Sequence, residues 1–233
     1  DNEYLRYSSY YHNFSSLLRI YAQTNYDKYV KQFRWRFSSS NNRICYIYQW
    51  KNTVGPLEAR KAQRNLWGYH QSMGLGYFEY FQFCEDIGAE PLPVVAAGVP
   101  CQNSGIGGPS HHSTDIITSN GQQGGIPMEE MGQYIQDVLD LIEYANGDAK
   151  KTVWGRERAK AGHPEPFNLK YLGVGNEDMI SDIFEERFTM IYKAVKEKYP
   201  DIVVIGTTGP FSEGTDYEEG WACLLYTSPS PRD

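Results

Sequence analysis

Several things are missing from this sequence, and each absence excludes something. No run is long and apolar enough to span a bilayer. Positive charge is in the minority, with 22 Lys and Arg against 29 Asp and Glu and a net charge of -7. That balance argues against nucleic acid or an anionic membrane surface as a partner. The four cysteines, Cys45, Cys84, Cys101 and Cys223, have neither metal-ligand spacing nor a CxxC pair. They read as core or incidental thiols, and neither a metal nor another cofactor is expected. Glycine and proline are absent before Gly55 and Pro56, although the chain holds 22 and 12 of them. At ordinary usage roughly four glycines belong in that stretch.

The glycine-free start sets residues 1–48 apart. Tyr10-Tyr11, Ser38-Ser39-Ser40 and Asn41-Asn42 crowd it instead. An α/β protein needs Gly and Pro in its turns. Two readings compete: a helical or disordered leader, or a stretch read in a non-native frame, and the second is preferred. The other end also changes character. From Ala222 to Asp233 the sequence resembles translated sequencing-adapter read-through and is expected to lie outside the folded protein. The domain proper is therefore placed at 49–221. What is present there is ordinary for a globular protein, 40% apolar and 22% charged, with 19 tyrosines that suit a carbohydrate surface without proving one.

Within 49–221 helical and strand signals alternate. Tyr77, Phe78, Phe81, Cys84 and Ile87 recur at helical spacing ahead of Gly88. Leu92–Ala97 reads as a buried strand. Residues 98–127 form a long glycine-rich loop that fits neither a P-loop nor a dinucleotide fingerprint. Its His111-His112 pair reads as solvated rather than as a metal ligand. Pro127 opens an amphipathic helix, with Met131, Tyr134, Ile135, Val138, Leu141, Ile142 and Ala145 on one face and Asn146-Gly147 at its end. A polar loop is expected next, in which the charged run Arg156-Glu157-Arg158 reads as a solvated face. After a strand ending near Glu177, Phe184, Phe188, Ile191 and Val195 mark a helix stopped by Pro200, and Ile202–Ile205 is the following strand. This alternation is the signature of βα units around a parallel sheet, so the expected fold class is α/β.

The stretch from Asn168 to Glu177 carries the chemistry. Leu169, Tyr171, Leu172 and Val174 form a short apolar run that ends in Asn176-Glu177, with Gly175 free to turn the backbone. A buried strand ending in polar groups delivers them to the C-terminal edge of a parallel sheet. The alternative is an Asn-Glu pair that merely starts a loop and caps the next helix. A carboxylic acid in the first setting suits glycosidic cleavage, because a poor leaving-group oxygen must be protonated. A neighbouring Asn can hold the sugar hydroxyl beside the reacting carbon.

Five segments narrow the reading: Gln49–Arg60, Asn65–His70, Cys84–Pro91, Gly162–Asn168 and Gly175–Glu177. Together they resemble glycoside hydrolase family 51 α-L-arabinofuranosidases. The resemblance implies a (β/α)8 barrel, here a partial one covering roughly strands 2 or 3 to 5, with Glu177 as general acid/base and Asn176 as a furanose contact. It implies a retaining, exo-acting hydrolase of arabinofuranosyl-containing oligo- or polysaccharides, with a periplasmic or extracellular location favoured. The family's Arg-Phe-Pro-Gly-Gly strand end is replaced by Phe33–Asn42. Its nucleophile, a Glu near strand 7, is expected beyond residue 221. Glu213, Asp216, Glu218 and Glu219 read as loop or helix-start carboxylates. The chain alone is thus expected to be inactive. A different barrel glycosidase, such as an endo-glucanase or xylanase, and a non-catalytic carbohydrate-binding role remain as alternatives.

Overall fold

In a computed structural model of the chain the described residues are 49–64, 70–99, 126–176, 178–209 and 212–227. The stretch 1–48, the loop residues 100–125 with His111-His112, residue Glu177 and the end from 228 lie outside them, as do Cys45 and Cys101. Two 3₁₀ turns, Trp50–Thr53 and Leu57–Ala59, come first. A two-residue antiparallel pair follows, β1 (Gln63–Arg64) with β2 (His70–Gln71). The rest alternates: α1 (Tyr77–Asp86), β3 (Val94–Val95), α2 (Met128–Asn146), α3 (Val153–Lys160), β4 (Tyr171–Val174), α4 (Asp182–Lys198), β5 (Val203–Ile205) and α5 (Thr215–Thr227). Strands β3, β4 and β5 form a parallel sheet with β4 in the middle, so the expected α/β class holds. Val94 pairs with Gly173, and Leu172 with Val204. Among the described residues no helix is long and apolar enough to cross a membrane.

The helices form where the apolar period predicts them. On α2, Met131, Tyr134, Val138, Leu141, Ile142 and Ala145 are buried, while Ile135 is partly covered. Each fully buried Leu or Ile of this kind contributes about 1.5–3 kcal/mol. On α4 the buried apolar set is Phe184, Phe188, Ile191 and Val195, with Arg187 buried beside them, and Ser181 caps the helix by accepting the Phe184 N–H. Helix α1 ends as its glycine foretells. Gly88 takes φ +67, its N–H reaches the Glu85 carbonyl, and the Ala89 N–H reaches that of Cys84. Ile87 differs from expectation: it sits past the last helical turn and is exposed.

Two further expectations need correction. The segment after Gly147 contains a helix, α3, and its Arg158 is fully buried where a solvated face was expected. Arg158 donates to the carbonyls of Tyr144 (2.7 Å), Ala145 (3.1 Å), Gly147 (2.7 Å), His163 (3.0 Å) and Pro164 (2.9 Å). Those carbonyls include Tyr144 and Ala145 in the last turn of α2, where intrahelical donors run out; that of Ala145 also accepts the Phe167 N–H. A guanidinium presents five donors in a fixed fork, which is why an arginine fills this position. Just beyond, Asn146 sets the entry to β4. Its side-chain amide donates to the Leu169 carbonyl (2.8 Å) and accepts the Leu169 N–H (2.7 Å).

The Gln49–Arg60 segment turns out to be scaffold. Trp50 packs against Tyr144 and Trp154 and donates its indole N–H to the Asp137 carbonyl at 2.8 Å. Lys51 reaches the carboxylates of Asp137 and Asp140. Thr53 accepts the Tyr77 N–H at the start of α1. Arg60 grips Glu79 through two hydrogen bonds, of 2.9 and 2.6 Å, and Glu79 in turn accepts the Gly76 N–H at 2.8 Å. Helix α5 runs through Ala222, and Cys223 is buried in the core.

Candidate active site

The C-terminal ends of β3, β4 and β5 bring three short polar or glycine-rich segments to one edge of the sheet. Strand β4 leaves the ladder at Gly175, whose N–H donates to the Val95 carbonyl at 2.8 Å. Gly175 then takes φ +92, a conformation open to glycine, and Asn176 follows it, 2% exposed. The Asn176 N–H donates to Oδ2 of Asp178 at 2.9 Å, and Asp178 is itself fully buried. The fit is close: a Cβ on Gly175 would lie 2.5 Å from Oδ2 of Asp178 and 2.9 Å from Cγ2 of Thr207 on the neighbouring strand end. Asn176 thus stands at a strand end inside the fold, rather than in a solvated loop. Glu177, the residue between these two, lies outside the described residues.

The edge of β3 is held from behind by two tyrosines. Tyr134 of α2 donates to the Ala96 carbonyl at 2.7 Å, and Tyr77 of α1 donates to that of Val94 at 3.3 Å. Burial pushes both phenols well above their ordinary range, and the Asp178 carboxylate adds to the effect on Tyr134. Both therefore remain neutral donors. The stem of the long loop is fastened beside them. The Ile126 N–H donates to the Gly98 carbonyl at 2.8 Å, and Arg187 of α4 donates to the Ile126 carbonyl from Nε (3.0 Å) and Nη2 (2.7 Å). Gly98, at φ +77, leaves room for that arginine, whose Cβ would lie 3.0 Å from a Cβ there.

On the β5 side Thr207, Thr208 and Gly209 continue the edge, with the Gly209 N–H donating to Oγ1 of Thr207 at 3.2 Å. Glu213, Glu218 and Glu219 are exposed, in the loop and first turns of α5, as their sequence positions suggest. Glu185, on α4, has its carboxyl pushed up by burial and by Asp182 and Glu219. Among the described residues no group of three or more His, Cys, Asp or Glu is arranged to hold a metal ion. Sequence reasoning passed over Asp178 and Arg187. Asp178 stands directly after the more conspicuous Asn-Glu pair, and Arg187 looks like any charged residue on an amphipathic helix.

A parallel sheet flanked by helices, with buried polar groups at its C-terminal strand ends, defines the class: an α/β domain. Residues 29–225 match the family described as the α-L-arabinofuranosidase 1 domain, and the chain belongs to that family. It is 46% identical over 175 residues to an extracellular exo-α-L-arabinofuranosidase of Streptomyces chartreusis, covering 75% of this chain and 19% of the relative. With α-L-arabinofuranosidase 1 of Arabidopsis thaliana the identity is 38% over 192 residues, covering 80% of this chain and 25% of the relative. The chain thus spans a quarter or less of these two relatives. Among solved structures, an arabinose-bound family 51 α-L-arabinofuranosidase matches at 30% identity and a TM-score of 0.55, covering 77% of this chain and 25% of that one. A family 51 enzyme from Bifidobacterium longum shares the fold at 18% identity and a TM-score of 0.56, covering 77% and 30%.

Proposed function

We propose that this chain is part of a retaining, exo-acting α-L-arabinofuranosidase that removes terminal arabinofuranosyl residues from oligo- or polysaccharides such as arabinan or arabinoxylan. Residues 49–221 supply roughly strands 2 or 3 to 5 of a (β/α)8 barrel. Glu177 is the general acid/base, and Asn176 contacts the furanose. The observation that carries this reading is the burial of Asn176 at the end of the middle strand of a parallel sheet, within a segment that matches the arabinofuranosidase family. The arabinose named with one structural neighbour supports the choice of sugar. The word extracellular in a relative's name supports export from the cytoplasm.

The chemistry follows from the strand end. A carboxylic acid next to Asn176 protonates the glycosidic oxygen as the bond breaks, and later takes a proton from the incoming water. The Asn176 amide holds the hydroxyl beside the reacting carbon, a contact that tightens as the sugar gains oxocarbenium character. A retaining enzyme needs a second carboxylate about 5–5.5 Å from the first, to form the glycosyl-enzyme. We assign that nucleophile to no residue of this chain, so the 233 residues alone release no arabinose from 4-nitrophenyl α-L-arabinofuranoside.

The test is Glu177→Gln in the full-length enzyme that carries this segment. Activity on arabinan, a poor leaving group, falls by about a thousandfold, and that on an activated aryl arabinoside falls far less. Equal losses on both substrates remove Glu177 from the acid role. Oligosaccharide products in place of single arabinose units exclude the exo-acting assignment.

A further inference from the structure

We infer that Asp178 is a positioning residue for the Asn176–Glu177 strand end, fixing the peptide from which the proposed acid/base extends. This inference rests on the assignment of Glu177 as that acid. The warrant is geometric. The Gly175 N–H donates to the Val95 carbonyl of β3. The next N–H, that of Asn176, donates to Oδ2 of Asp178, 2.9 Å away. Asp178 is thus the acceptor for the first peptide N–H beyond that bond. Because donor and acceptor are two residues apart, the bond closes a small ring of chain that contains residue 177. A carboxylate accepting a backbone N–H in a dry site makes a strong, short-range constraint.

Asp178 is built into this place rather than resting on a surface. It is fully buried, and its Oδ2 lies where a side chain on Gly175 would have to go. Ala97 and Thr207 close in on Gly175 from the two neighbouring strand ends, at 3.4 and 2.9 Å from the same Cβ position. Three strand ends thus meet around Gly175, with the Asp178 carboxylate packed beside it. Burying a charge is costly, and such a charge is retained only where hydrogen bonds hold it. A residue whose task was only to fill space would be apolar here. The carboxylate serves to fix a turn at the point where a misplacement of about 1 Å costs about a hundredfold in rate.

The experiment compares Asp178→Leu, which is close in shape but has no acceptor, with Asp178→Asn, whose amide oxygen still accepts the Asn176 N–H. Both are made in the full-length enzyme, beside Glu177→Gln, and each is assayed on arabinan and on an activated aryl arabinoside. Asp178→Leu is expected to lose about a hundredfold on arabinan and under tenfold on the aryl substrate. Asp178→Asn is expected to stay within about threefold of the parent on both. Equal losses on the two substrates for Asp178→Leu, while Glu177→Gln still discriminates, reduce Asp178 to a structural residue and overturn the inference. If Glu177→Gln fails to discriminate, the acid lies elsewhere, and both the functional reading and this inference fall. If Asp178→Leu does not fold, Asp178→Asn decides: a selective loss on arabinan despite the retained acceptor overturns the role assigned to the hydrogen bond.

Discussion

Where β4 begins, polar side chains close on the main chain; where it ends, glycines leave the main chain room to turn. At the first end Arg158 joins five carbonyls, Asn146 holds both polar groups of Leu169, and His163 stacks on Phe167 at 4.1 Å. At the second end Gly98, Gly175 and Gly209 have φ of +77, +92 and +90. Both ends are tightly packed, but for different purposes. The first fixes where the strand starts. The second fixes a few atoms at the point where a sugar is proposed to bind, and uses glycine to reach backbone conformations that other residues rarely adopt. In parallel α/β folds stability concentrates at the N-terminal face of the strands and chemistry at the C-terminal face.

Arg158→Ala is the sharpest way to break this contrast. It removes the side chain that donates to five carbonyls, of which that of Ala145 keeps the Phe167 N–H, and should lower stability by about 3 kcal/mol. Chemical denaturation of the full-length enzyme measures the loss, while the kcat of the fraction that folds stays close to the parent's. A large fall in kcat at unchanged stability would mean the two ends are not separate in role. Gly175→Ala probes the other end. The added Cβ meets Oδ2 of Asp178 at 2.5 Å in a backbone conformation that L side chains rarely adopt. Turnover should fall by about a hundredfold, with a stability cost of about 1–3 kcal/mol. Steady-state kinetics alongside denaturation separates the two, and an active Gly175→Ala enzyme would show that the strand end need not be shaped so closely. The smallest effect belongs to the exposed pair Lys170–Glu90, 2.6 Å apart. Removing either partner should leave both the melting temperature and the kinetics unchanged, because solvent screens such pairs.

The sequence made some of this legible and hid the rest for physical reasons. Helices α2 and α4 could be read because burial repeats every three to four residues along Met131–Ala145 and Phe184–Val195. Strand β4 could be read from its apolar run, and Asn176 from the abrupt polarity at its end. Arg158 could not be read. Its burial depends on carbonyls contributed from Tyr144 to Pro164, which come together only once α2 and α3 pack, and its own neighbours are charged. Helix α3 has few apolar residues and so gives a weak period. The Leu92–Ala97 strand was visible as a buried segment, yet only Val94 and Val95 pair in the ladder, since the chain turns at Gly98. Asp178 was overlooked because a carboxylate beside a conspicuous acid looks like part of the same polar cluster. Its burial and its contact with the Asn176 N–H distinguish it, and both appear only in three dimensions.

The arginine beneath β4 grips peptide oxygens, and every amino acid carries one of those. Its hold on Tyr144, Ala145, Gly147, His163 and Pro164 therefore reads the path of the chain and not the identity of the side chains there. One side chain thereby ties together the end of α2 and the chain that follows α3, so the joint has a single point of failure.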